Sequence, residues 1–106
     1  MANIADNKFF LSFGEDCTKE DIELVRKQID HLFEEHLEGE LYYDEEDSME
    51  GWFTSRWSFP HEYWEEILGE KPIYFRCLTE EYGCGLVSMN IHDEDGDWRE
   101  PQYFDL

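Results

Sequence analysis

Apolar residues fall on alternate positions of KFFLSF (8–13), with Phe9, Leu11 and Phe13 on one side of an extended segment and Phe10 and Ser12 on the other. Period-two alternation is the mark of a strand, and bulky residues on both sides place it inside a sheet. Gly14 ends it. Thr18, followed three residues later by Asp21, is a helix-start signal of capping-box type. Ile22, Val25, Ile29, Leu32, Phe33 and His36 then recur at helical spacing, opposite Lys19, Glu23, Arg26, Lys27, Asp30 and Glu34. The spacing predicts a helix to about Leu37, stopped by Gly39. GELYYDEED (39–47) and GWFTSRWSF (51–59) form two extended arms around an acidic turn, a hairpin pattern. Pro60 suits the first turn of a second helix, PHEYWEEIL, whose Tyr63, Trp64, Ile67 and Leu68 share one face while Glu62, Glu65 and Glu66 share another. Gly69 closes it. IYFRCL (73–78) predicts a strand, TEEYGCG (79–85) a turn, and LVSMNI (86–91) a strand in which Val87, Met89 and Ile91 alternate with Ser88 and Asn90. Asp95–Gly96 predicts a two-residue hairpin loop, with a last extended piece near Trp98 and Tyr103–Phe104.

Strand, helix, hairpin, helix and then two or three strands predict a single α+β domain over residues 1–106, an antiparallel sheet carrying both helices on one face. WFTSRWSFPHEYWEEI, IYFRCLTEEYGCG and the late Asp-Gly turn also resemble the ferredoxin-like domain of YubB-like proteins, which plasmids and phages carry. The resemblance covers residues 50–106 or so, and the family's features fall on Trp57, Pro60, Glu80 or Glu81, and Gly96. It implies a ferredoxin-like sandwich and a mobile-element setting, and it brings no catalytic residue with it. Trp57 is expected in the core beside the second helix.

Charge changes the picture most. The 106 residues hold 28 acids against 8 bases, a net charge of −20. So negative a chain is a poor direct binder of nucleic acid or of an anionic membrane. Its eight Phe, six Tyr and four Trp separate it from disordered acidic chains, which lack the apolar surface to fold, and at least half of these aromatics are expected in the core. Three cysteines, odd in number and without a C-x-x-C, point to reduced thiols and a cytoplasmic protein. Cys77 and Cys84 are expected as small core or near-core residues. No apolar run approaches the roughly 18 residues of a membrane span, and the N-terminus lacks the basic-then-apolar order of a secretory signal.

Candidate chemistry narrows quickly. HDEDGD (92–97) spaces Asp93, Asp95 and Asp97 like the start of a calcium loop, but an EF-hand needs Gly at position six and Glu at position twelve. Counted from Asp93, Gly96 is fourth and Phe104 twelfth, so a solvated hairpin tip is the better reading. Cys77 and Cys84 are seven apart, and His31, His36, His61 and His92 are scattered without an H-x-x-x-H pair on one helix face, His31 and His36 being five apart. No P-loop, G-x-G-x-x-G or G-x-S-x-G occurs, and nothing local marks Cys17 or Cys84 as an activated nucleophile. The expectation is a non-enzyme without metal or cofactor.

What remains is where the charge lies. Residues 40–55 hold six acids and no base, and residues 77–106 hold eight acids and one base. Duplex DNA carries about one charge per 1.7 Å of axis, so twenty charges correspond to about 34 Å, near the diameter of a domain this size. Self-repulsion at this excess destabilises the fold, so a positively charged partner is a better reason for it than solubility. The expected partner is a basic nucleic-acid-binding protein or nuclease whose groove the chain occupies as a DNA or RNA mimic. Asp44, Glu45, Glu46, Asp47, Glu50, Asp93, Glu94, Asp95 and Asp97 would take phosphate positions, with Tyr42, Tyr43, Met49 and Trp52 as anchors. The mobile-element resemblance makes an anti-defence protein, such as an anti-CRISPR or anti-restriction factor, the most specific form. An immunity protein against a nuclease toxin and a divalent-cation-binding domain are the alternatives.

Overall fold

Strand β1 (Ile4–Phe13) runs through the middle of an antiparallel sheet, because both its faces are needed. Ala5, Asn7, Phe9, Leu11 and Phe13 are buried under the helices, while Asp6, Lys8 and Phe10 face the other way. The computed structural model describes residues 4–105. These form α1 (Lys19–Glu35), β2 (Gly39–Asp44), β3 (Ser48–Arg56), α2 (His61–Leu68), β4 (Ile73–Glu81), β5 (Leu86–His92) and β6 (Gln102–Asp105) besides β1. The strand order is β2-β3-β1-β4-β5-β6, antiparallel throughout. The chain is therefore α+β, as the element order predicts.

Both helices lie on one face, joined through Phe9, whose ring is 6.1 Å from Phe33 of α1 and 5.1 Å from Trp64 of α2. Thr18 caps α1 by accepting the Asp21 N–H at 3.1 Å. Val25, Ile29 and Leu32 form the buried stripe of α1, and Trp64, Ile67 and Leu68 that of α2. The first helix stops two residues short of the expected Leu37, since His36 and Leu37 both donate to the Leu32 carbonyl and close the last turn. His36 is exposed. Gly51 must be glycine for space, because a Cβ there would stand 2.6 Å from the Glu40 carbonyl and 2.8 Å from the Phe9 ring.

Several expectations are corrected. The second hairpin arm starts at Ser48, β4 continues to Glu81, and the turn after it is confined to residues 82–85, leaving Cys84 exposed while Cys77 is buried. Burial pushes the Cys77 thiol up to about 12, so it packs as a neutral group. Asp95–Gly96 is not a two-residue loop. Gly96 donates to the Asp93 carbonyl at 3.0 Å and Asp93 to the Asp97 carbonyl at 2.9 Å, and Gly96 takes the positive φ (89°) of a longer turn. Only six of the eighteen aromatics are buried: Phe9, Phe13, Phe53, Phe59, Phe75 and Trp64.

Trp57 is the plainest correction. It is 53% exposed, at φ 70° between β3 and α2, and forms no part of the core. The chain must turn there to hand Phe59 to the core, and a bulky side chain in left-handed geometry is strained. Trp57→Gly is therefore expected to hold or raise the melting temperature, by up to about 1 kcal/mol of stability. A drop of several degrees would show that the indole is held by contacts worth more than the strain.

Candidate functional site

The acidic segments converge because of strand order. β1 and β5 leave the sheet at the end where β3 and β4 enter it, as the partner pairs Ser12↔Ser48, Phe13↔Ile73 and Phe75↔His92 require. The β2–β3 turn (45–47), the loop after β1 (14–18), the loop before β4 (69–72) and the turn after β5 (93–97) therefore share one end.

Backbone contacts tie these loops together. Phe13 donates to the Asp47 carbonyl at 2.9 Å, and Gly14 to the Pro72 carbonyl at 3.1 Å. Gly96 lies directly against the backbone of Glu70, where any Cβ would clash. His92, fully buried, sets Nδ1 2.7 Å from the Ile73 carbonyl and Nε2 2.9 Å from the Gly69 carbonyl.

Glu15, Asp16, Glu45, Glu46, Asp47, Glu70, Glu94, Asp95 and Asp97 are all exposed on these loops. From β2 to β5 is four strand spacings, about 19 Å, over which duplex DNA would present about eleven phosphates. The cations nearby are largely engaged. Arg26 binds the Asp44 carboxylate and the Glu45 and Glu46 carbonyls, pinning the acidic turn to α1. Lys71 donates to the Ile67 carbonyl at 3.3 Å, and Arg99 stands 3.5 Å from Asp93. Lys19 opens α1 nearby, beside the same turn.

The expected contact residues thus divide. Glu45, Glu46, Asp47, Glu94, Asp95 and Asp97 are exposed at the acidic end. Asp44 is taken by Arg26, and Met49, expected as an anchor, is buried in the core because its side of β3 faces the helices. Asp93 shapes its own turn, its carboxylate accepting the N–H groups of Asp95 and Asp97 at 3.0 and 3.1 Å. The Asp97 N–H foremost, together with the Asp95 N–H and Arg99, outweighs the penalty of burial and holds the Asp93 carboxyl below its ordinary range. Tyr43 is exposed beside the turn, and the Glu45 carboxylate that bonds its hydroxyl raises the phenol. Tyr42, Glu50 and Trp52 belong to a different surface, the sheet face away from the helices, where Tyr42 and Glu50 border a hollow with Lys8 and Arg76 and Trp52 lies directly across from Lys8. Glu15, Asp16 and Glu70 are the additions.

Comparison with protein-family models, with curated proteins and with solved structures returned no match. The surface must be judged on its chemistry.

Two other places gather reactive residue types. A hollow of about 240 Å³ is bordered by Ser58, His61, Glu81 and Ser88, yet the carboxylate nearest His61 is that of Glu65, at 3.5 Å, and no serine hydrogen-bonds to the ring among the described residues. A groove of about 300 Å³ between the helices has an apolar floor of Leu32 and Ile67, with the His36 ring stacked on Tyr63 at 5.2 Å. No three His, Cys, Asp or Glu side chains converge as metal ligands among the described residues, and no helix there is long and apolar enough to cross a membrane.

Proposed function

We propose that this protein binds a positively charged, nucleic-acid-handling protein through the acidic end of its sheet and blocks the groove that would hold nucleic acid. The observation that carries this reading is the set of nine exposed carboxylates at one end of the sheet, on four loops held by backbone hydrogen bonds and close packing, at a density along that end close to that of a duplex. Rigid anchoring matters, because charges held in place before encounter complement a fixed basic groove without an ordering cost on binding.

The first four strands, in the order β2-β3-β1-β4, we read as a ferredoxin-like sandwich extended at one edge by β5 and β6. With the mobile-element resemblance, this favours a cytoplasmic anti-defence protein, directed at a CRISPR effector or restriction enzyme. An immunity protein against a nuclease toxin would use the same surface.

The test is capture from host lysate by the immobilised protein at low and at high salt, with mass spectrometry of what is retained. The expected result is a basic nuclease or nucleic-acid-binding protein held at low salt and released at high salt. Finding no basic protein enriched at either salt would overturn the reading.

A further inference from the structure

The sheet face turned away from the helices differs from the rest of this molecule. On β5, the polar residues Ser88 and Asn90 point to the helix side and are buried, while Val87, Met89 and Ile91 point outward. A strand covered only on its helix side would carry the opposite pattern. Phe10, Trp52, Tyr74 and Leu78 continue the outward apolar surface across β1, β3 and β4. Phe104, 52% exposed and paired with Val87, extends it onto β6.

The same face is nearly neutral. It carries the acids Asp6, Glu40, Glu50 and Glu80 and the bases Lys8, Arg56 and Arg76, a balance of −1 in a chain of −20. Arg76 lies over the Phe10 ring at 4.8 Å, presenting a cation in the middle of an apolar field. In plan the face measures roughly 24 by 27 Å, about 650 Å² before side-chain relief is counted, close to the roughly 800 Å² per partner of a stable interface.

We propose that this face is a homodimer interface, closed sheet to sheet by a second copy of the chain. Two chains of −20 repel, and this is the face on which their approach adds least repulsion and buries most apolar surface. The partner pairs also make it self-complementary. Trp52, Lys8, Leu78 and Met89 form one row across the sheet, with Arg76 one row to one side and Glu80 one row to the other. A two-fold axis along that row sets Arg76 of each copy opposite Glu80 of the other, and Ile91 opposite Val87. Lys8 lies on the axis opposite Lys8 of the second copy, and Asp6 of that copy, one row away, offsets the two ammonium groups. The acidic end stays clear, so each dimer carries two.

Sedimentation of the purified full chain tests this at several salt concentrations. The expected mass is twice the 12.8 kDa of the chain. Self-association should strengthen with salt, which screens the repulsion between copies, whereas capture of a basic partner by the acidic end weakens. Arg76→Glu and Glu80→Arg should each weaken the dimer at least about tenfold, and the double exchange should restore it. Both residues lie on the surface side of the sheet, so circular dichroism should find all three variants folded. A monomer at every salt, a dimer indifferent to the exchanges, or single-variant loss that the double exchange does not repair would each overturn the proposal. None of these outcomes depends on whether the acidic end captures anything.

Discussion

Truncating Trp64 to alanine is expected to destabilise the fold by about 3–5 kcal/mol, the range for removing a fully buried aromatic side chain. Trp64 is wholly buried where both helices meet the sheet, its ring 4.6 Å from Phe75, 5.1 Å from Phe9 and 5.6 Å from Phe53. Its ring meets side chains from β1, β3 and β4 at once, so the cavity would not be closed by one neighbour's movement. A domain of this size has about 5–15 kcal/mol in total, and each kcal/mol shifts its melting temperature by about 4–8 °C. The variant should melt about 15–30 °C lower, read by circular dichroism against the wild type. Trp64→Phe should cost much less, because the indole N–H is buried with no hydrogen-bond partner and its removal loses nothing polar. Equal losses in the two variants would mean that the N–H, not the ring volume, is what the site holds.

The contrast between Trp64 and Trp57 shows what the chain makes legible. Period and punctuation locate elements well: β1 alternates as read but begins at Ile4 rather than Lys8, the Thr18 cap stands where the residues imply, and the second helix runs His61–Leu68 with Pro60 just outside it as the cap. Alternation does not say which side of a strand meets the helices, since a period of two is symmetric. In β5 the polar residues Ser88, Asn90 and His92 are the buried set on the helix side, beside residues 58–61 and Trp98, and the apolar set looks outward. That is also why fewer aromatics are buried than expected, with Phe10, Trp52 and Tyr74 on the uncovered face. Trp57 fails for another reason. Its neighbours suggest a strand end, but the chain reverses at that residue, and only the dihedral angle discloses it.

For the candidate site, residue types were readable and convergence was not. The acidic runs at 44–47 and 93–97 are visible as composition. Their meeting depends on the order β3-β1-β4-β5, a long-range property. Glu15, Asp16 and Glu70 stand in short loops and look like ordinary solvated residues. The available signal was directional: in an antiparallel arrangement, the exit of β1, the entry of β4 and the β2–β3 turn fall at the same end.

Replacing Glu45, Glu46, Asp47, Glu94, Asp95 and Asp97 together with their amides is expected to slow association with the captured basic protein. Steered encounters run up to about a thousandfold faster than neutral ones at low salt. Six of the nine exposed carboxylates at this end are removed, and tenfold or more of that gain should go with them. Asp44 and Asp93 stay, because Arg26 and the 93–97 turn need them. The dissociation rate should change less, since rim charges act chiefly on encounter, and the dependence of association on salt should flatten in proportion. Stability should hold or rise as self-repulsion falls, which separates a binding defect from a folding one. Stopped-flow kinetics across a salt series reads both slopes. If the rate and its salt dependence match the wild type, the field at this end does not steer the partner, and the density of its carboxylates has some cause other than imitation of a nucleic-acid backbone.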